Sequence, residues 1–357
     1  MKRLFSLLTT ICTPFVILSG TNTNKGHWFE ADNSMIKYVG RIDFTDAKAP
    51  KFSAAGTYIE VKFKGTTVDI ELVDEHKYNN NQFFQVSIDE NAPVRFQTTA
   101  GQSIYRIASG LTADTHIVRI TKDSEASIGW MQFKKIRVDE LLDHTLPSRK
   151  IECFGNSITC GAGIYNDLCN ISVDSKWYYC TSATKSYGAL VAKKLNAQYH
   201  LTSWSGIGLT KSCCGMTVTM PTVFDLTFIE GSSPQKWDFS RYIPDVVTIC
   251  LGQNDGVIDS ATFVNAYINF IDKLKIYYPN TQFLCITSPM SDDALYNYHV
   301  KCLTAIANHY CNKGDNKVHK VLLSHSMNNG CTTHPDGAQH EIIATELEAA
   351  IKNITGW

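Results

Sequence analysis

The stretch Ile151-Glu152-Cys153-Phe154-Gly155-Asn156-Ser157-Ile158-Thr159-Cys160-Gly161 begins as a short apolar run, breaks at a glycine, presents a serine and continues into helix-compatible sequence. This is the pattern of a strand running into a helix. A serine at such a turn has its backbone N–H directed outward at a helix N-terminus while its side chain faces open space. Its hydroxyl stays a weak nucleophile until a base takes the proton and donors hold the resulting oxyanion. Gly-Asn-Ser is also ordinary turn chemistry, so the meaning of Ser157 depends on what the rest of the chain supplies.

Downstream, short apolar runs at 199–202, 246–251, 283–286 and 318–323 alternate with segments whose apolar residues recur at three-four spacing: 187–195, then Phe263/Tyr267/Phe270/Ile271/Leu274, then Leu303/Ile306/Tyr310. Strands alternating with helices predict an α/β fold with a doubly wound parallel sheet, and such sheets carry their chemistry at the carboxyl ends of the strands. The chain meets that expectation. Ser203-Trp204-Ser205-Gly206-Ile207-Gly208-Leu209 follows the second run, and its glycines let a backbone amide approach a ligand closely. Leu251-Gly252-Gln253-Asn254-Asp255-Gly256 follows the third, with the Asn254 NH2 as a natural oxyanion donor. After the fifth, Cys331-Thr332-Thr333-His334-Pro335-Asp336-Gly337 places a histidine ahead of a C-terminal helix that Asp336 is suited to cap. The expected roles are nucleophile for Ser157 and base for His334. The amides of Ser157 and Gly208 and the side chain of Asn254 are the expected oxyanion donors, with Gly206 competing for the second place. His340 is expected on the helix surface.

Upstream, from about residue 37 to 138, the period is two. Ile59, Val61 and Phe63 share one face and Glu60, Lys62 and Lys64 the other, as in a half-buried strand. Gly65-Thr66 then leads into 68–72, which reads as the hairpin partner. Phe84/Val86/Ile88, Val118/Ile120, Met131/Phe133 and Ile136/Val138 extend the pattern, predicting an all-β sandwich of jelly-roll type over residues 25–140. Leu146-Pro147-Ser148 marks the boundary, and the catalytic domain is expected over 148–357.

With 357 residues, 44% of them apolar and 19% charged, the chain is long enough for two domains. A net charge of −1 with interspersed signs argues against nucleic acid as a partner. Met1-Lys2-Arg3, the apolar segment 4–18 and Ser19-Gly20 read as a secretory signal peptide over 1–20, too short for the ~20 apolar residues of a membrane span. A secreted or periplasmic protein, free of the membrane and monomeric, is therefore expected. All twelve cysteines except Cys12 lie at or beyond Cys153. Export permits disulfides; Cys169 with Cys180, and Cys302 with Cys311, are close enough in sequence to bridge, Cys213 and Cys214 are adjacent, and the pairing stays open. Zinc-type spacing is absent, so no metal is expected.

The strand-end blocks resemble the SGNH, or GDSL-like, hydrolases. Gly155-Asn156-Ser157 stands where that superfamily has Gly-Asp-Ser, while Gly252-Gln253-Asn254-Asp255 and His334-Pro335 match outright. Tyr38-Val39-Gly40-Arg41, Ile59-Glu60-Val61-Lys62-Phe63-Lys64-Gly65, Ala108-Ser109-Gly110-Leu111, Ser205-Gly206-Ile207-Gly208 and Trp237-Asp238-Phe239-Ser240-Arg241 extend the resemblance to carbohydrate esterase family 2, over nearly the whole mature chain. It implies an acetyl esterase, working without a cofactor, that removes O-acetyl groups from plant-type polysaccharides such as xylan and glucomannan or from their oligosaccharides. One departure stands out. SGNH enzymes commonly carry an Asp two or three residues before the histidine, and here those positions hold Thr332 and Cys331. Either a backbone carbonyl orients His334, giving a Ser/His dyad, or an acid arrives from elsewhere. The insertions 165–184 and 211–235 flank the Ser and Gly loops, with Tyr165, Trp177 and Trp204 as candidates for stacking on sugar, or they are surface elaborations pinned by disulfides. Two rivals remain: an esterase or lipase for other acyl esters, and a carbohydrate-binding protein whose hydrolase domain is spent.

Overall fold

The computed structural model describes residues 26–89, 91–171 and 176–357; the expected signal peptide lies outside the described residues. Two six-stranded antiparallel sheets form the N-terminal sandwich. One is built on Met131–Val138 and Thr67–Asp74, the other on Tyr58–Lys64 and Thr115–Lys122. Ile59, Val61 and Phe63 from one sheet and Val68, Ile70 and Leu72 from the other are buried in one apolar cluster. The hairpin expected across Gly65-Thr66 is therefore overturned. The two runs lie in different sheets, because each buries its apolar face against the other more completely by stacking than by pairing side by side. The polar face of Tyr58–Lys64 is not simply solvated either, since Glu60 is buried and bonded to Arg119 and His144.

The second region is a five-stranded parallel sheet: β1 (Arg149–Gly155), β2 (Ala197–Ser203), β3 (Val246–Cys250), β4 (Gln282–Ile286) and β5 (Val318–Val321), in the order β2-β1-β3-β4-β5. Its helices are α1 (Ser157–Cys160), α2 (Tyr187–Lys194), α3 (Met220–Val223), α4 (Ser260–Tyr277), α5 (Asp293–Cys311) and α6 (Gly337–Thr355). Helix α2 packs with α6, and α4 with α5. Every residue of β3 is buried, as expected of a parallel strand covered on both faces. The strand order reverses direction between β1 and β3, which opens a crevice at their carboxyl ends.

The two regions are joined by buried polar contacts. Arg41 of the sandwich donates to Glu152, in the middle of β1, at 3.0 Å, and to the Leu226 carbonyl at 2.8 Å; both members of the ion pair are almost fully buried. Glu152 also accepts from Thr202 and Tyr278. Paired on all sides, this carboxylate is tolerated inside a β-strand that would otherwise be apolar. Tyr179 and Thr181 of the 165–184 insertion also meet the sandwich: Arg95 donates to their carbonyls at 2.8 and 2.9 Å.

Candidate active site

Ser157 stands where β1 gives way to α1. Asn156 caps that short helix, its side chain accepting from the Ile158 N–H at 3.1 Å. The turn is tight enough that a Cβ on Gly155 would lie 2.0 Å from Thr159 Oγ1, so no other residue fits there. Ser157 is 9% exposed.

His334 has to come from farther away. Strand β5 sits at the sheet edge, three strand spacings of about 4.8 Å from β1, and the chain after it returns toward the centre. The return is pinned at its tip: the Cys331 N–H donates to the Gly163 carbonyl at 2.9 Å, the Gly330 N–H to the His334 carbonyl at 2.7 Å, and Cys331 is disulfide-bonded to Cys169. These restraints hold Thr332 and Thr333 in left-handed backbone, φ 52° and 59°, which non-glycine residues adopt only when their surroundings impose it. His334 Nε2 then lies 2.8 Å from Ser157 Oγ. Its Nδ1 lies 3.1 Å from the Thr332 carbonyl and 3.0 Å from Thr332 Oγ1, a hydroxyl that itself donates to the Cys331 carbonyl. With only acceptors around Nδ1, the proton resides there, and Nε2 is left to accept from the serine hydroxyl. Among the described residues no carboxylate bonds the ring. Burial lowers the His334 pKa, against a smaller upward pull from the Thr332 and Cys331 backbone, so the ring is neutral at pH 7.

The Gly loop after β2 corrects one expectation. The Gly208 N–H already donates to Ser212 Oγ at 3.0 Å, and a Cβ there would strike the Lys211 carbonyl at 1.9 Å. Gly208 is thus a glycine because the loop folds back on itself, and its amide is not free to meet a ligand. The Gly206 N–H and the Ser157 N–H make no hydrogen bond among the described residues. Asn254 Nδ2 donates one hydrogen to the Ile207 carbonyl at 2.8 Å, which leaves its second N–H available. Its neighbour Asp255, to which the sequence assigned no role, is buried and accepts from the Leu209, Thr210 and Lys211 amides and from Thr210 Oγ1. That carboxylate holds the far half of the Gly loop in place.

Other expectations also change. His340 is fully buried rather than on the helix surface: its Nδ1 accepts from the Tyr187 N–H at 3.1 Å, and burial brings its pKa down to about 3. Asp336 caps α6 as expected, its side chain accepting from the Gln339 N–H. Cys169 pairs with Cys331, not Cys180; Cys302 and Cys311 are free thiols, while Cys213 and Cys214 are bonded to each other. Sequence order hid the 169–331 bridge because its halves are 162 residues apart. Tyr165 lies between Arg95 and Lys185, and Trp177 packs with Phe83, Ile128 and Tyr178. Of the three aromatic candidates, Trp204 is the one on the Gly loop itself, half-buried against the core.

A serine hydroxyl bonded to imidazole at the switch point of a β2-β1-β3-β4-β5 sheet defines a serine ester hydrolase of GDSL-like type. The chain belongs to carbohydrate esterase family 2. The GDSL-like lipase/acylhydrolase family model matches residues 151–347, and the carbohydrate esterase 2 N-terminal model matches 38–144. A solved family two carbohydrate esterase from Clostridium thermocellum, in complex with cellohexaose, is 32% identical, with a TM-score of 0.82 over 90% of this chain and 99% of that one. The cellulase/esterase CelE of Acetivibrio thermocellus is 34% identical over 92% of this chain, which spans 40% of that protein's length. An acetylxylan esterase / glucomannan deacetylase of Cellvibrio japonicus is 28% identical over the full length of both chains.

Proposed function

We propose that this protein is a secreted carbohydrate O-acetyl esterase that deacetylates plant-type polysaccharides such as xylan and glucomannan, or their oligosaccharides, through a Ser157/His334 dyad. The observation that carries the reading is the 2.8 Å contact between His334 Nε2 and Ser157 Oγ, with Nδ1 held on the Thr332 carbonyl. Ser157 Oγ attacks the acetyl carbonyl while Nε2 takes its proton. The N–H groups of Ser157, Gly206 and Asn254 hold the oxyanion. Collapse expels the sugar alkoxide, which takes its proton from the imidazolium. His334 then activates the water that cleaves the acetyl-enzyme and frees acetate. The Thr332 carbonyl fills the orienting place that an Asp occupies in a triad, and the cysteine three residues before the histidine anchors the loop through its disulfide instead. In this reading the sandwich over 25–140 is of jelly-roll type, the catalytic domain covers 148–357, and the protein works as a monomer.

The direct test is acetate release from acetylated xylan and acetylated glucomannan, alongside hydrolysis of 4-nitrophenyl acetate and octanoate. Wild type is expected to release acetate from the polymers, to prefer the acetate ester by at least about tenfold, and to lose both activities in Ser157→Ala. Preference for octanoate with no acetate from either polymer would overturn the carbohydrate reading.

Two further expectations follow from the imidazole. Because it must be neutral to accept a proton, and burial lowers its pKa, activity is fully present above the folded-state value and disappears as pH falls through it. The limb of kcat/KM governed by His334 should therefore have its midpoint below the ordinary histidine value of 6.5; a midpoint above 6.5 contradicts the geometry. Thr332→Asp should change kcat by no more than about threefold, since the Nδ1 proton already has an acceptor. A gain of tenfold or more in kcat would show that the dyad lacks an orienting acid.

A further inference from the structure

The sandwich contributes an unusual run. Lys122, Asp123, Ser124 and Glu125 are four consecutive polar residues, each 1% exposed or less, at the end of Thr115–Lys122, where an antiparallel strand ordinarily turns into solvent. Most of their hydrogen-bonding capacity is taken up in building the seam. Asp123 accepts from the Ala183 N–H at 2.9 Å, Gln85 Nε2 at 2.8 Å and Arg95 Nε at 2.7 Å. Ser124 Oγ accepts from the Phe83 N–H, and Lys122 Nζ donates to the carbonyls of Ser124 and Glu125. The Glu125 side chain reaches elsewhere. One oxygen accepts from the Ser205 N–H at 3.0 Å and the other from Ser205 Oγ at 2.7 Å. The titratable groups facing it are the Lys122 ammonium and the Cys160 thiol.

Ser205 is the residue before Gly206, and the peptide plane joining them carries the Gly206 N–H. The rest of this loop is tied on its other sides. The Trp204 N–H donates to the Gly155 carbonyl at 3.3 Å, the Ile207 N–H to the Trp204 carbonyl at 3.1 Å, and the Cys213 N–H to the Gly206 carbonyl at 2.9 Å. A glycine in left-handed backbone, here at φ 86°, lets its neighbouring peptide planes rotate more freely than any other residue would. Holding both the N–H and the hydroxyl of Ser205 fixes its N and Cα, the pivot from which the plane with the unpaired Gly206 N–H extends.

We propose that Glu125 of the sandwich is a positioning residue for ester hydrolysis: by clamping Ser205 it fixes the direction of the Gly206 N–H toward the acyl oxygen. The inference rests on the proposed hydrolase site and adds that the N-terminal sandwich is part of the catalytic apparatus. Burial pushes the Glu125 carboxyl up to about 7, against the downward pull of Ser205, Lys122 and Cys160, and both of its oxygens bond Ser205 of the neighbouring region. A preorganised oxyanion donor acts on the transition state more than on bound substrate, so disturbing it lowers kcat and leaves KM largely unchanged.

The experiment uses the full chain and 4-nitrophenyl acetate. Ser157→Ala is measured first; if it retains wild-type activity, the hydrolase reading itself fails, whatever Glu125 does. With that activity abolished, Glu125→Ala is expected to lower kcat at least about tenfold with KM within threefold. The rate of inactivation by diethyl 4-nitrophenyl phosphate, which phosphorylates the serine through the same oxyanion contacts, should fall by the same factor as kcat/KM. Glu125→Gln, which retains the length and hydrogen-bonding shape of the side chain, should recover kcat to within about threefold of wild type. Should Glu125→Ala fail to fold, Ser205→Ala, which loses the hydroxyl bond and keeps the amide one, is expected to lower kcat about threefold to tenfold with KM unchanged. Wild-type kcat in a folded Glu125→Ala or in Ser205→Ala overturns the proposal. So does a fall in kcat while the inactivation rate holds, or a Gln variant as slow as the Ala variant.

Discussion

Replacing Ser157 or His334 by alanine is expected to lower kcat for 4-nitrophenyl acetate by about 10⁵-fold or more, and the double variant should be little worse than either single one. The reason is their direct contact: His334 Nε2 accepts from Ser157 Oγ at 2.8 Å, so the hydroxyl without the ring is not a nucleophile, and the ring without the hydroxyl has nothing to activate. What remains comes from oxyanion stabilisation and binding alone. Additivity would count against the pair acting as a unit. A His334→Ala variant retaining a hundredth of wild-type kcat would point to another base. His340, six residues on in α6, is enclosed with its Nδ1 accepting from the Tyr187 N–H, so it is not expected to substitute.

Asn254→Ala is expected to cost about 10²–10³ in kcat with KM within about threefold, the magnitude found for removing one oxyanion donor. Asn254 also holds the Ile207 carbonyl at 2.8 Å. Losing that neutral hydrogen bond should cost about 1 kcal/mol of stability, seen as a drop of a few degrees in Tm. The two consequences separate cleanly: a structural cost of about 1 kcal/mol corresponds to less than tenfold, and the kinetic effect should exceed it by an order of magnitude. A fall in kcat of tenfold or less, with a matching fall in Tm, would reduce Asn254 to a loop-holding residue.

Much of this architecture was legible in the chain because it depends on local periodicity. All five parallel strands and helices α2, α4 and α5 fall where the apolar runs and three-four spacings put them, each being a short-range response to which residues are apolar; the short α3, inside the 211–235 insertion, was not expected. The strand-end location of Ser157, Asn254 and His334 follows from that frame. Where local pattern met long-range choice, it failed. Tyr58–Lys64 and Thr67–Asp74 alternate correctly, yet alternation cannot distinguish a hairpin from two strands stacked across a core, and the chain takes the second course. Both Gly206 and Gly208 suit a ligand-facing loop by composition; only the position of Ser212 decides that one amide is taken and the other free. His340 reads as polar at a helix position, and its burial against Tyr187 is invisible until α2 and α6 meet.

The amino-acid sequence by itself determined the α/β class, the order of the elements and the residue types at the strand ends, since backbone preference and side-chain burial act over a few residues at a time. Only the tertiary structure decided that Cys331 is tied to Cys169, that the Thr332 carbonyl faces His334 Nδ1, and that Glu125 of the sandwich clasps Ser205. The bridge and the clasp join residues scores of positions apart. The third turns on a left-handed backbone at Thr332 that contacts with Gly163 and Cys169 impose; the bridge and this turn exist only once distant segments of the second region meet, and the clasp only once that region packs against the sandwich.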